Sequence, residues 1–252
     1  MDLRPGYREL APPPALRGAL ECLWVRVGLA SGPPNTLVLP DACSDLIWQA
    51  EAGTFVAGPD TGPAPAVVRP GTVLVGARFL PGAGGPALGV PLSALRDLRV
   101  DVTDLLPELD DRLPASLTPE AALRGLTATV VRLTAAAPPD PAVRRAARLL
   151  ADSGARVETL ADELGLSERQ LRRRFHAAVG YGPKTLQRVL RFRRFLSRLD
   201  AGRAETDLAR IALEAGYADQ AHLTRECARL AGFPPTALAR TRAEAPAEEP
   251  VG

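Results

Sequence analysis

The chain has 252 residues with 31 basic and 29 acidic side chains, a formal charge of +2, so any surface for a polyanion must be local. Its only histidines are His176 and His222, which excludes a histidine-ligated metal and a Ser-His or Cys-His nucleophile from residues 1–140. Cys22, Cys43 and Cys227 have no metal-ligand spacing and are too few for a disulfide framework, so neither metal nor cofactor is expected.

Residues 20–90 read as short strands broken by Gly and Pro: Leu20–Val27, Thr36–Leu39, Asp45–Gln49, Thr54–Ala57, Ala66–Val68 and Thr72–Leu80. Such spacing predicts a small barrel or sandwich. Trp24 and Trp48 are the side chains best suited to stack a planar effector inside it, with ordinary core packing as the alternative. Cys22 lies in an apolar strand, while Cys43 lies in a turn-like segment that leaves room for exposure. Asp41 and Asp45 form a candidate carboxylate pair, though a turn beside a strand commonly carries such residues. Gly82, Gly84, Gly85 and Gly89 have prolines among them and no lysine, which reads as a rigid surface loop rather than a phosphate cradle.

From Leu92 the pattern turns helical, with short helices over Ser93–Leu98 and Thr103–Leu109 and a longer one over Pro119–Thr134. Leu123, Leu126, Val130 and Leu133 make one stripe on the longer helix, fit either for the sheet of the same chain or for a second copy. Pro138-Pro139-Asp140-Pro141 is a natural linker. The expected organisation is therefore a sensor and dimerisation domain over 1–137, a linker over 138–141, a second domain over 142–242 and a frayed tail over 243–252. Residues 1–140 carry 11 basic and 15 acidic side chains, and residues 141–252 carry 20 and 14. The acidic first half beside a basic second half suits a non-nucleic-acid domain joined to a nucleic-acid one. No signal peptide or apolar run long enough to span a membrane is present, and a cytoplasmic location without membrane contact is the expectation.

Between Arg169 and Leu199 stand ten cationic side chains and no Asp or Glu: Arg169, Arg172, Arg173, Arg174, Lys184, Arg188, Arg191, Arg193, Arg194 and Arg198. A local block of this kind suits duplex DNA, because each neutralised phosphate releases counterions. It also suits a solvated face, or a helix docking on a membrane surface or an acidic partner. A repeat decides between them. Leu160-Ala161, Gly165, Leu171, Arg173 and Phe175 recur 51 to 52 residues later as Ile211-Ala212, Gly216, Leu223, Arg225 and Cys227, and Gly180-Tyr181-Gly182-Pro183 recurs as Gly232-Phe233-Pro234-Pro235. Each copy reads as a helix of about eight residues, a Gly-containing turn and a second helix, the helix-turn-helix pattern. A membrane-docking helix needs no such flanking repeat.

In the first copy Ser167 is the expected N-cap, with Gln170 in capping-box position. Leu171, Phe175, Ala178 and Val179 share one face, leaving Arg169 and Arg173 at the centre of the other, Gln170 and Ala177 beside them, and Arg172, Arg174 and His176 on the flanks. In the second copy Asp219 is the expected N-cap. Leu223, Cys227, Leu230 and Ala231 point inward, and Ala218, Ala221, His222, Arg225 and Arg229 outward. Residues 141–242 resemble the DNA-binding domain of AraC/XylS-type bacterial transcription regulators, most specifically in Ile211-Ala212, Gly216-Tyr217-Ala218-Asp219-Gln220, Leu223-Thr224-Arg225 and Gly232-Phe233-Pro234-Pro235. The resemblance implies an all-α double helix-turn-helix unit joined by a long helix. It implies base contacts from Arg169, Arg172, Arg173, Gln220, Ala221, His222 and Arg225, to which the outward faces add Arg174, His176 and Arg229 as candidate DNA-binding residues. It also implies an N-terminal cupin-like barrel, a small-molecule effector, a homodimer and RNA polymerase as partner, while the missing histidines argue against catalysis in the first half. The chain departs from the family at Cys227 and Leu238, where aromatic residues are usual. The motifs Leu39-Pro40-Asp41-Ala42-Cys43-Ser44-Asp45-Leu46-Ile47-Trp48 and Arg78-Phe79-Leu80-Pro81-Gly82 resemble a subgroup of that family.

Overall fold

The computed structural model describes residues 5–29, 35–152, 154–201 and 207–244. The first half is an open antiparallel sheet followed by helices. Its strands are β1 (Gly6–Leu10), β2 (Leu20–Val27), β3 (Asn35–Val38), β4 (Ser44–Gln49), β5 (Gly53–Ala57), β6 (Ala64–Val67), β7 (Val73–Phe79) and β8 (Arg99–Asp101). Six of them form one sheet in the order β1-β2-β7-β4-β5-β8, and β3 pairs with β6 in a separate ribbon. β1 and β8 are the edges of the larger sheet, so it does not close on itself.

Alternation along the strands sends side chains to two faces. Leu23, Val25, Leu46, Trp48, Val75 and Ala77 face a core shared with helix α2 (Pro119–Ala136). Cys22, Trp24, Ile47 and Leu74 face a smaller cluster that includes Val68, just beyond β6. Ala122, Leu126 and Val130 of α2 are buried in the first core, with Leu123 and Leu133 packed at its margin. The leucine stripe therefore packs within its own chain.

Four local expectations are corrected. Residues 84–88 form a short helix, α1 (Gly84–Leu88), with Gly84 and Gly85 buried, where a surface loop was expected. Ser93–Leu98 is a 3-10 turn at Leu92–Ala94 leading into β8, and Thr103–Leu109 is covered by two 3-10 turns rather than one α-helix. β1 was not anticipated. Cys43 is buried, its thiol donating to Glu21 Oε2 at 3.0 Å, so the exposure that its turn left open does not occur.

The second half is helical: α3 (Pro141–Leu150), α4 (Leu160–Glu163), α5 (Glu168–Ala178), α6 (Pro183–Ala201), α7 (Leu208–Ala215), α8 (Gln220–Ala231) and α9 (Pro235–Glu244). Asp140 caps α3 by accepting from the Ala142 and Val143 amides, and Pro141 opens the helix without wasting a donor. One continuous core runs from Val143 through Phe175, Phe192 and Phe195 to Leu223 and Leu238.

Candidate nucleic-acid interface

The first unit is α4, a turn and α5. Gly165 sits at φ +64°, the left-handed conformation that ends α4 without a Cβ penalty. The capping box forms in full. Ser167 Oγ accepts from the Gln170 amide at 3.2 Å, and Gln170 Oε1 accepts from the Ser167 amide at 2.9 Å. Leu171, Phe175 and Ala178 bury one face of α5, and Arg169, Arg172 and Arg173 are exposed on the rest. α4 itself is one turn long, shorter than expected.

The second unit repeats this plan with α7 and α8. Gly216 caps α7 at φ +91°, and Asp219 caps α8 by accepting from the His222 amide at 2.6 Å. Leu223, Cys227, Leu230 and Ala231 are buried, and Gln220, Ala221, Arg225 and Arg229 are exposed. His222 is half-buried, with its ring edge-on to Tyr217. Cys227 and Leu238 occupy buried positions in the core, so the helices close around these smaller side chains.

Helix α6 joins the units and buries Leu186, Val189, Phe192, Phe195, Leu196 and Leu199, with Leu190 half-buried. Its apolar face is consumed by its own domain, which disfavours the reading of a free helix docking on a membrane or acidic partner. Among the described residues no helix is long and apolar enough to cross a membrane.

The ten-cation block divides in two. On α6, Lys184 pairs with Glu158 at 3.6 Å, Arg188 with Glu226 at 2.9 Å, Arg198 with Glu214 at 3.4 Å, and Arg193 with Glu21 of β2. Arg194 donates to the Ala151 carbonyl at 2.9 Å. On α5, Arg174 is drawn to Asp140 at 3.2 Å, which takes it away from the outward set. Among the described residues, no hydrogen bond or ion pair engages the side chain of Arg169, Arg172, Arg173, Arg225 or Arg229. Apart from Arg191 of α6, whose guanidinium lies over the Tyr217 ring, the unpaired cations of this block and of α8 among the described residues lie on the outward faces of the two helices that follow the turns.

A helix-turn-helix domain family matches residues 160–241, a span that covers both units. This part of the chain is an AraC-type helix-turn-helix domain. A domain family of unknown function matches residues 8–101, which hold the larger sheet. No curated protein matches the sequence. Among solved structures, ToxT from Vibrio cholerae O395 is 8% identical over 95% of this chain and 97% of that chain, with a TM-score of 0.43. The unsaturated fatty acid bound wild-type ToxT from Vibrio cholerae strain SCE256 is 10% identical over 92% and 100%, with a TM-score of 0.45. The AraC-type family is one of transcription regulators rather than enzymes.

The helices of the helix-turn-helix domain are docked on the sheet domain. Gly85 of α1 lies against the Ala177 carbonyl of α5, where a Cβ would collide. Gly180, just after α5, lies against Pro59 and Leu92 in the same way. His176 is half-buried, and burial together with the charges of Arg172 and Arg96 lowers its pKa. Arg96 belongs to the sheet domain, so His176 stands at the junction rather than among the exposed cations. Arg193 of α6 also donates to the Asp41 carbonyl at 3.0 Å. Ala42 next to it, at φ +70°, is buried in the core of the helical domain.

Both sheet-domain motifs converge at this junction. Arg78 Nε lies 3.2 Å from Asp45 and 3.3 Å from Asp41, and Trp24 Nε1 donates to Asp45 at 2.7 Å. Burial pushes the Asp45 carboxyl up to about 6, against the opposing pull of Arg78. Asp41 and Asp45 are thus partners of one guanidinium, an arrangement that holds structure together and leaves no free acid–base pair. Trp24 packs over Gly76, and Trp48 is fully buried with its indole donating to the Pro114 carbonyl at 3.0 Å. Core packing with satisfied N–H groups accounts for both indoles. Sequence reasoning missed Glu21 and its pairing with Arg193, the signal for which would have been a charged residue inside an apolar strand.

Proposed function

We propose that this regulator binds double-stranded DNA sequence-specifically by entering two major grooves, with α5 in one and α8 in the other. Arg169, Arg172 and Arg173 would contact the first, and Gln220, Ala221, His222, Arg225 and Arg229 the second. The observation that carries the reading is the division of charge: among the described residues the outward cations of α5 and α8 are unpaired, while Arg174 and the α6 cations other than Arg191 are internally engaged. An exposed arginine can bond a guanine edge bidentately, and capped helices present it in fixed geometry. Arg174 and His176 are assigned to the domain junction instead.

The sheet domain is the receiver of a small-molecule effector, and the contacts of Gly85 with α5 and of Glu21 with α6 give it a mechanical hold on the first unit and on the helix that joins the two units. The natural setting is the cytoplasm. A second copy of the chain and RNA polymerase are the macromolecular partners that family membership adds. A dimer would need a surface other than the stripe of α2, which is packed on the sheet.

Selection of bound sites from a random duplex pool tests the reading. The expected result is an enriched motif with two conserved blocks, on which Arg173→Ala costs about 1–3 kcal/mol and relaxes one base position. A pool that shows no enrichment, or equal losses on matched and scrambled duplexes, contradicts it.

A further inference from the structure

Between the two helix-turn-helix units lies a polar recess of about 290 Å³. Glu158, before α4, lines one side, Lys184, Arg188 and Arg191 of α6 form its floor, and His222 and Glu226 of α8 close the other side. Lys184 and Arg188 are paired with the two acids, Glu158 and Glu226. Arg191 has no acidic partner among the described residues. Its guanidinium lies 5.6 Å from the centre of the Tyr217 ring, and its Nε is buried without a hydrogen-bond partner. The same ring meets His222 edge-on at 5.2 Å between centroids. One aromatic side chain thus supports the groups that line the recess from α6 and from α8.

Two more donors nearby are unanswered. The Tyr217 hydroxyl is buried without a partner, and so is Nε of Arg194, whose other nitrogen is spent on Ala151. Tyr217 is pushed above the ordinary phenol range, first by burial, so it keeps its proton and remains a donor. Buried donors without acceptors are rare because each forfeits its hydration. Three of them around an unneutralised arginine call for an acceptor that also carries negative charge.

We propose that the recess seats one backbone phosphate of the bound duplex, with Arg191 as its cationic ligand and Tyr217 as the positioning residue that holds Arg191 and His222. The inference rests on the DNA reading and deepens it. The phosphate would be one of those on the strand that separates the groove taken by α5 from the groove taken by α8. Contacts of this kind carry no base information and fix the register in which the reading helices enter.

The test uses the full chain and the duplex recovered by selection, with single phosphates between the two blocks replaced in turn by neutral methylphosphonates. In the unaltered protein one linkage should stand out, its neutralisation weakening binding about tenfold. Arg191→Met should lose the same factor on the unmodified duplex and be indifferent to neutralisation of that linkage. Arg191→Lys, which keeps the charge, should retain the sensitivity. Tyr217→Leu should lose it while keeping the base preference set by Arg173, and Tyr217→Phe, which keeps the ring but removes one donor, should retain part of it. Arg191→Met binding the unmodified duplex at full strength, or showing an undiminished penalty at that linkage, overturns the proposal while leaving sequence-specific binding intact. A chain that prefers no duplex sequence at all overturns the DNA reading, and the phosphate site with it.

Discussion

Arg193 and Glu21 stand 172 residues apart and meet across the domain junction, with Arg193 NH1 3.2 Å from Glu21 Oε2. The same carboxylate accepts from the Cys43 thiol, and the same guanidinium reaches the Asp41 carbonyl. Burial alone would raise the Glu21 pKa, but the Arg193 charge and hydrogen bond more than offset it and hold the pKa below the usual carboxylate value. A depressed native pKa contributes stability above the unfolded value, about 4.3, and loses it as the pH falls through the native one. Glu21→Gln should therefore cost about 1–3 kcal/mol near pH 7. In denaturant titrations the difference from the unaltered protein should shrink below about pH 4. A difference independent of pH would show that the pair is not the source of the loss.

Gly85 tests the docking of α5 on the sheet domain. A Cβ there meets the Ala177 carbonyl, which is backbone and cannot rotate away. Gly85→Ala should force α1 and α5 apart at a cost of about 1–3 kcal/mol. Amide hydrogen exchange should show faster exchange at the C-terminal turn of α5. An unchanged melting temperature with unchanged exchange would mean that the two helices do not touch in solution.

The parts of the site that the sequence makes legible are those governed by short range. The capping box of Ser167 and Gln170, the left-handed glycines 165 and 216, the Asp219 cap and the buried face of α8 all follow from residues within a few positions of one another. So does the apolar face of α6. What stays hidden depends on distant partners. Nothing near Arg174 in sequence announces Asp140 as its partner, and nothing near Arg193 announces Glu21. Gly85 looks like a loop residue until α5 is laid against it. β8 has three residues, too few for a period of two to register, and β1 is a short edge strand with Arg8 and Glu9 in its middle. The burial of Cys43 depends on the helical domain closing over the turn that carries it.

The capping box should matter twice. Ser167→Ala removes the acceptor of the Gln170 amide and should cost about 1 kcal/mol in thermal unfolding. Because Arg169 and Arg172 lie in the first turns of α5, the same change should weaken binding to the selected duplex by more than it weakens binding to a scrambled one. A loss confined to stability, with the ratio of the two affinities unchanged, would show that the N-terminal turn of α5 takes no part in base reading.

The central claim is that α5 and α8 read the same duplex in successive grooves, and base preference measured for two variants tests it most directly. Arg173 and Arg225 occupy matched positions of the repeat, both exposed and both unpaired among the described residues. Site selection repeated with Arg173→Ala and with Arg225→Ala should relax one base position each, and the two positions should lie about 10 base pairs apart, one turn of the double helix. Relaxation of neighbouring positions by both variants, or of none by either, would contradict reading by two helices on one duplex.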